Sequence, residues 1–317
     1  MSDVVNKLIT VDPAAFGKVA VLFGGMSAER EISLKSGGEV LRALEARGVD
    51  AHKVDPAEGL LEQLLAGKFD RAFIVLHGRG GEDGTVQGLL QLMNIPYTGS
   101  GVLGSALAMD KLRTKQVWLA AGLPTPEYVH VNSADELRAF VARVGYPVAV
   151  KPAREGSSIG VTRLTAEKDL DAAYTTAREL DELVIAERWI TGSEYFCSVL
   201  GEQALPMVRM ETPREFYDYK AKYFSDDTRY HCPSGLSASR EAELQRMCLR
   251  AFDAVDAKGW GRVDFMMDAD GRPWLIELNT VPGMTDHSLV PMSARAVGIE
   301  FDELVVQILA QTLESRE

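Results

Sequence analysis

Cysteine is scarce in this 317-residue chain, and the three present, Cys197, Cys232 and Cys248, are odd in number and far apart. With no CxxC pair they build neither a disulfide framework nor a zinc knuckle, which points to a reducing cytoplasm. No run reaches the roughly 18 apolar residues that a membrane helix requires. Residues 1–16 lack a signal-peptide core and read as a loosely held arm, so no membrane partner is expected. Positive charge is also short. Thirty-four Lys and Arg against 46 Asp and Glu leave a formal charge of −12, which disfavours nucleic acid as a partner. Two common nucleotide signatures are missing: no GxGxxG follows a strand, and there is no GxxxxGK[ST] loop. Nicotinamide and P-loop enzymes are thereby disfavoured.

What is present is an ordinary globular composition, 46% hydrophobic and 25% charged, over a length suited to two or three packed subdomains. The apolar run 18–25 stops at glycines, as a buried parallel strand does. A helix is expected to follow, with Ser27 as N-cap and Glu29 and Glu31 at its positive end. A second strand, 69–76, leads into the loop 77–84 and a helix over 85–93. Strands alternating with helices imply an open α/β layer. Further on, helices are expected over 105–121, 166–180, 240–257 and 301–313, with strands over 147–151 and 183–187. A long polar stretch, 211–233, carries Phe216, Tyr217, Tyr219, Tyr223, Phe224 and Tyr230. A loop of that length inside a compact domain is expected to cover something.

The segment 261–279 is the most informative. Asp270-Gly271 between apolar runs is a two-residue hairpin signal. If those two residues form the turn, Ala269 faces Arg272, Asp264 stands opposite Glu277, and Arg262 opposite Asn279. Side chains two apart share one face of a strand, so Arg262, Asp264, Glu277 and Asn279 form a square. Val263, Phe265, Ile276 and Leu278 fill the other face as core. Two carboxylates and a carboxamide are oxygen donors suited to Mg²⁺, and an arginine at the rim suits a phosphate or an oxyanion. Arg262 with Glu277 alone would read as a salt-bridged hairpin face. Like charges directly opposite destabilise a sheet unless a cation intervenes, which favours the metal. A one-residue slip at the turn would flip the whole set.

Lys151 ends a strand, and Gly156-Ser157-Ser158-Ile159-Gly160 then supplies backbone N–H groups and hydroxyls that could cover phosphates. Alone, that loop reads equally as an ordinary turn. Lysine, glycine loop and metal hairpin in this order resemble the ATP-grasp superfamily, in which two α+β subdomains clamp ATP. Within it the chain resembles D-alanine–D-alanine ligases. The resemblance rests on segments 24–33 (GGMSAEREIS), 77–84 (HGRGGEDG), 97–101 (YTGSG), 109–111 (MDK), 151–158 (KPAREGSS), 217–223 (YDYKAKY) and 277–285 (ELNTVPGMT).

The resemblance implies three subdomains: an α/β substrate-binding layer over 1–99, a central ATP lid over 100–186 and a catalytic half over 187–317. It implies that Lys111, Lys151, Ser158 and Lys222 contact ATP, with Glu187, Trp189 and Ile190 framing adenine and Glu194 holding the ribose. Asp264, Glu277 and Asn279 match the family's ligands for two Mg²⁺ or Mn²⁺ ions, and Arg262 its oxyanion-stabilising residue. Glu29 matches the carboxylate that binds the first D-alanine's ammonium, with Ser157 and Tyr223 as its hydrogen-bonding partners; His77, Gly283 and Ser288 match substrate residues. Without the family, Glu29 reads as a helix-end carboxylate, Lys111 as a solvated helix lysine and His77 as a solvated loop histidine. One departure is Val281, where serine is usual before Pro282. The implied activity joins two D-alanines through an acyl phosphate, with ADP and phosphate released, in a homodimer. Alternatives are a D-alanine–D-lactate ligase, another ATP-grasp carboxylate–amine ligase, or a non-catalytic nucleotide-binding regulator.

Overall fold

A computed structural model describes residues 8–211 and 228–313. Lys222, Tyr223 and most of the expected aromatic cover lie outside the described residues. Three sheets organise the described residues. The first is parallel, ordered β2-β1-β3, and is built from β1 (Lys18–Leu22), α1 (Arg30–Ala46), β2 (Asp50–Val54), α2 (Leu60–Gly67) and β3 (Arg71–Ile74), with α3 (Thr85–Leu92) following. Four consecutive residues of β1 are buried, as expected of a strand covered on both faces. The helix α1 starts two residues later than a Ser27 cap would place it, with Glu29 at the N-cap position. Ser27 instead donates its hydroxyl to the His77 carbonyl at 2.7 Å, and that bond ties two functional loops together. The expected loose arm is held from Leu8 onward: Ile9 exchanges hydrogen bonds with the Gln307 side chain, and Phe16 is fully buried.

The expected helix over 105–121 is two helices, α4 (Val102–Met109) and α5 (Lys111–Ala120). The break falls at Asp110, whose carboxylate accepts from the Arg113 amide and caps the second helix. Next comes an antiparallel sheet ordered β4-β7-β5-β6. Its elements are β4 (Tyr128–Val131), α6 (Ala134–Val144), β5 (Val148–Pro152), β6 (Thr162–Leu164), α7 (Leu170–Leu180) and β7 (Val184–Arg188). Strand alternation decides its two faces. Val148, Val150, Val184 and Ala186 pack under α6 and α7 with Leu137, Phe140 and Leu170. The intervening Lys151, Ile185 and Glu187 are buried on the opposite face, towards α5, where Ile185 meets Leu112.

The third sheet runs β11-β10-β8-β12-β13, with β9 paired to β8. Its strands are β8 (Gly192–Leu200), β9 (Gln203–Ala204), β10 (Val208–Glu211), β11 (Arg229–His231), β12 (Trp260–Asp268) and β13 (Pro273–Asn279), and α8 (Ala238–Ala254) covers one face. Trp118 of α5 lies completely buried in this core and donates its indole N–H to the Ala251 carbonyl at 2.9 Å. Burying such a side chain is worth about 1.5–3 kcal/mol, so α5 is anchored to the third sheet while its polar side faces the second. The last helices, α9 (Leu289–Arg295) and α10 (Phe301–Ala310), return to the first unit: Leu304, Val305 and Ile308 join the core around β1. No described helix is long and apolar enough to cross a membrane, and Cys197, Cys232 and Cys248 are free thiols.

Candidate active site

The hairpin carries the pairing expected, by a different route. Arg262 faces Asn279 and Asp264 faces Glu277, but the register shifts immediately beyond, where Phe265 pairs with Leu275. Asp268 bonds to Arg272 across the turn, so three residues rather than two make the connection. A bulge at Ile276 then restores the pairing at Glu277. The bulge also moves the core position by one residue: Leu275 is fully buried beside Val263, Phe265 and Leu278, while Ile276, expected there, is only partly buried. Bulges re-aim side chains in this way.

Protein cations neutralise the opposed carboxylates. Arg262 grips Asp264 in a bidentate pair, Nε to Oδ1 at 2.6 Å and Nη2 to Oδ2 at 2.7 Å. Asn279 Nδ2 donates to Asp264 Oδ2 at 3.2 Å, and Lys111 Nζ lies 3.5 Å from Glu277 Oε2. The like-charge argument for a metal therefore loses its force, because Arg262 and Lys111 supply the cation. The donor chemistry still fits the protein side of a hard divalent ion, two carboxylates and an amide oxygen, with its other positions left to phosphates and water. Among the described residues no group of three or more His, Cys, Asp or Glu could hold a metal alone.

Lys151 and Glu187 form a buried ion pair on the α5-facing side of the second sheet. Lys115, absent from the expected site, approaches Glu187 Oε2 to 2.8 Å from the other side. Burial opposes ionisation of Glu187, yet the two lysines win and hold its carboxyl at about 2. Burial lowers the Lys115 ammonium to about 8 despite Glu187. Lys115 carries a signal only in hindsight: its i+4 spacing from Lys111 puts both on one helix face.

The third part of the site is assembled from distant loops. Ser157 hydrogen-bonds Glu29 directly, and Arg79 Nε reaches Glu155 Oε1 at 2.9 Å, so the loop 155–160 is tied to the first unit at two points. Ser157 and Ser158 both adopt left-handed backbone, φ 52° and 59°, a conformation that costs non-glycine residues about 1–3 kcal/mol and persists where its surroundings enforce it. Two glycines make room for the Glu29 carboxylate: a Cβ on Gly156 would lie 2.7 Å from Oε2, and one on Gly78 2.9 Å.

His77 is buried, not solvated. Its Nδ1 lies 2.8 Å from the Val281 carbonyl, which can only accept, so Nδ1 carries the proton. Burial pushes the ring's pKa down, against the pull of Glu29, and the neutral ring presents Nε2 as a lone-pair acceptor. That nitrogen is buried with no hydrogen-bond partner. Glu82, to which the sequence pattern gave no role, accepts from the Gly78 and Val281 amides at 2.8 and 3.1 Å; burial and the charge of Glu29 raise it to about 8. Val281 thus serves through its backbone, and its side chain is packed in the core.

Ser288 bonds the Thr285 amide at 3.0 Å, and a Cβ on Gly283 would sit 3.2 Å from its Oγ, so those two substrate candidates meet at the start of α9. Trp189 and Ile190 follow β7, with the Arg163 guanidinium 5.3 Å above the Trp189 ring. Glu194 pairs with Met266 of β12.

Comparison with known proteins finds relatives for both halves of the chain. Sequence profiles for the D-ala D-ala ligase N-terminus and C-terminus match residues 50–100 and 117–310. A D-alanine–D-alanine ligase of Ectopseudomonas mendocina is 57% identical over 97% of this chain and 98% of its own. One from Nitrosococcus oceani is 55% identical over 96% and 97%. Among solved structures, the D-alanine–D-alanine ligase of Bacillus anthracis superposes with TM-score 0.83 at 34% identity, over 93% of this chain and 97% of that one. The VanG D-Ala:D-Ser ligase of Enterococcus faecalis gives 0.80 at 30%, over 93% and 99%. With profiles matching both halves and relatives spanning nearly its whole length, this chain belongs to the D-alanine–D-alanine ligase family.

Proposed function

We propose that this chain joins two D-alanine molecules into D-alanyl-D-alanine, a peptidoglycan precursor, using ATP. The carrying observation is that the unpartnered His77 Nε2 lies within electrostatic range of both the Glu29 carboxylate and Arg262. Two acceptors and a guanidinium suit an amino acid: its ammonium would donate to Glu29 and His77, and its carboxylate would lie towards Arg262. Lys111 and Lys151 hold the phosphates, a role the family resemblance extends to Ser158 and Lys222. Glu187, Trp189 and Ile190 frame adenine, and Glu194 holds the ribose.

The γ-phosphoryl group passes to the carboxylate of the first D-alanine, giving an acyl phosphate and ADP. The amine of the second D-alanine, its own carboxylate received by Ser288 and Gly283, attacks the acyl carbon. Arg262 steadies the oxyanion before phosphate departs. Asp264, Glu277 and Asn279 would hold Mg²⁺ or Mn²⁺, two ions in all, which when bound screen the phosphate charge. Ser157 ties the lid to Glu29, the role the family resemblance also gives Tyr223, and closure excludes the water that would hydrolyse the intermediate. Substrate binding belongs mainly to 1–99, the lid to the second sheet and its helices within 100–186, and catalysis mainly to 187–317, in a cytoplasmic homodimer.

ADP release that depends on D-alanine tests this reading. The likeness to a D-Ala:D-Ser ligase keeps a second acceptor in view. Products from D-alanine mixed with D-serine or D-lactate decide between them, and no D-alanine-dependent ADP release would sink both.

A further inference from the structure

Lys115 is fully buried on α5. Its Nζ lies 2.8 Å from Glu187 Oε2 and 2.8 Å from Thr125 Oγ1, and the Thr125 hydroxyl in turn donates to the Leu275 carbonyl at 2.9 Å. Glu187 therefore has two counter-ions: Lys115, held in place by Thr125, and Lys151, on the side assigned to nucleotide.

A buried carboxylate stripped of its partner is costly, because neither water nor another cation replaces the lost charge. If Lys151 were the sole partner of Glu187, ATP could recruit its ammonium only by leaving that carboxylate unpaired. Lys115 removes the conflict. Its position on the far oxygen keeps Glu187 neutralised while Lys151 turns to phosphate, and it leaves the near oxygen directed at the base.

We propose that Lys115 is a positioning residue of the nucleotide site, the standing counter-ion of Glu187 that releases Lys151 to ATP. The inference rests on Lys151 and Glu187 being nucleotide contacts. The remaining positive charge of the trio, two lysines against one carboxylate, also suits a site that receives an anion.

The test is a double-mutant cycle read by ATP affinity. Lys115→Met leaves Glu187 and Lys151 as a balanced pair, so the fold has no unpaired buried charge. It is expected to weaken ATP at least tenfold, raising KM for ATP more than it lowers kcat. In a Glu187→Gln background no carboxylate competes for Lys151, and adding Lys115→Met should then cost less than threefold. A purely structural lysine would give the same loss in both backgrounds. Equal losses, or undiminished ATP affinity in Lys115→Met, would overturn the proposal. Should Lys115→Met fail to fold, the two Glu187→Gln proteins still decide, since a tenfold gap between them contradicts it. Failure of the parent to bind ATP would instead strike the nucleotide reading itself.

Discussion

The hairpin and the Glu29 pocket make opposite use of charge. In the hairpin the two opposed acids each meet a cation within the third sheet or on the helix anchored to it: Arg262 for Asp264, Lys111 for Glu277. In the pocket, Glu29 sits at the junction of two loops more than a hundred residues apart, and His77 keeps an acceptor without a donor. The named carboxylates of the first are charge-paired within the fold, whereas the second leaves the buried His77 Nε2 without a hydrogen-bond donor. Buried polar atoms are nearly always paired, so the orphan His77 Nε2 close to Glu29 is the basis on which the substrate ammonium is proposed to bind there.

The largest effect is expected from breaking the hairpin. Glu277→Ala should cut turnover by at least about 10²–10³, the range seen when a group that offsets transition-state charge is lost, with the fold retained. ADP formation titrated with Mg²⁺ checks it; a near-normal rate with unchanged metal dependence would remove Glu277 from the site.

Disturbing the pocket should show in substrate affinity. Gly156→Ala drives a methyl group into the Glu29 carboxylate and should raise KM for D-alanine, leaving KM for ATP less affected. Glu29→Gln sets the scale: a charge-assisted hydrogen bond is worth about 1.5–3 kcal/mol, or roughly tenfold to a hundredfold. Steady-state kinetics with each substrate varied separates the two terms. If Gly156→Ala moved only the ATP term, the loop would belong to the nucleotide site alone.

A stability effect comes next. Asp55 is fully buried against Arg30 and holds the turn at Gly25 that precedes Glu29. The Arg30 hydrogen bond, against the cost of burial, lowers its carboxyl to about 2. Because the folded pKa lies below the unfolded value, the stabilisation is fully present above about pH 4 and is lost as pH falls towards 2. It amounts to about 2 kcal/mol. Asp55→Asn should lower the melting temperature at pH 7, and the gap from the parent should narrow in acid. A gap constant from pH 7 to pH 2.5 would contradict that account.

The smallest effect is expected at Val281. Only its amide and carbonyl bond to Glu82 and His77, so Val281→Ser should leave KM for D-alanine within about twofold while burying a hydroxyl lowers stability slightly. A larger kinetic change would mean that the side chain shapes the pocket.

Local chemistry was legible in the sequence. The hairpin square could be written down because antiparallel neighbours are close in the chain and alternation is strict. Even so, Asp264 met Glu277 through two offsetting departures, a longer turn and a bulge, and Ile276 shows where the simple count failed. The Ser157–Glu29 contact was reached through family resemblance, since no local rule links residues 128 apart. Glu82 and Lys115 went unassigned because a carboxylate or lysine in a helix or loop looks solvated until its neighbours are known.

The expected division at residues 99 and 186 shows the same limit. Trp118 of the stretch assigned to the lid is buried in the third sheet, and Leu304 to Ile308 of the final stretch pack with the first. The sequence by itself determined the strands and helices, the hairpin partners and the glycine-rich loops, because those follow from alternation, turn residues and backbone freedom over a few residues. Tertiary structure alone decided which apolar face covers which sheet, which lysine faces Glu187 and which histidine nitrogen lacks a partner. Burial and charge pairing depend on atoms brought together from far along the chain, and no spacing in the sequence encodes that distance.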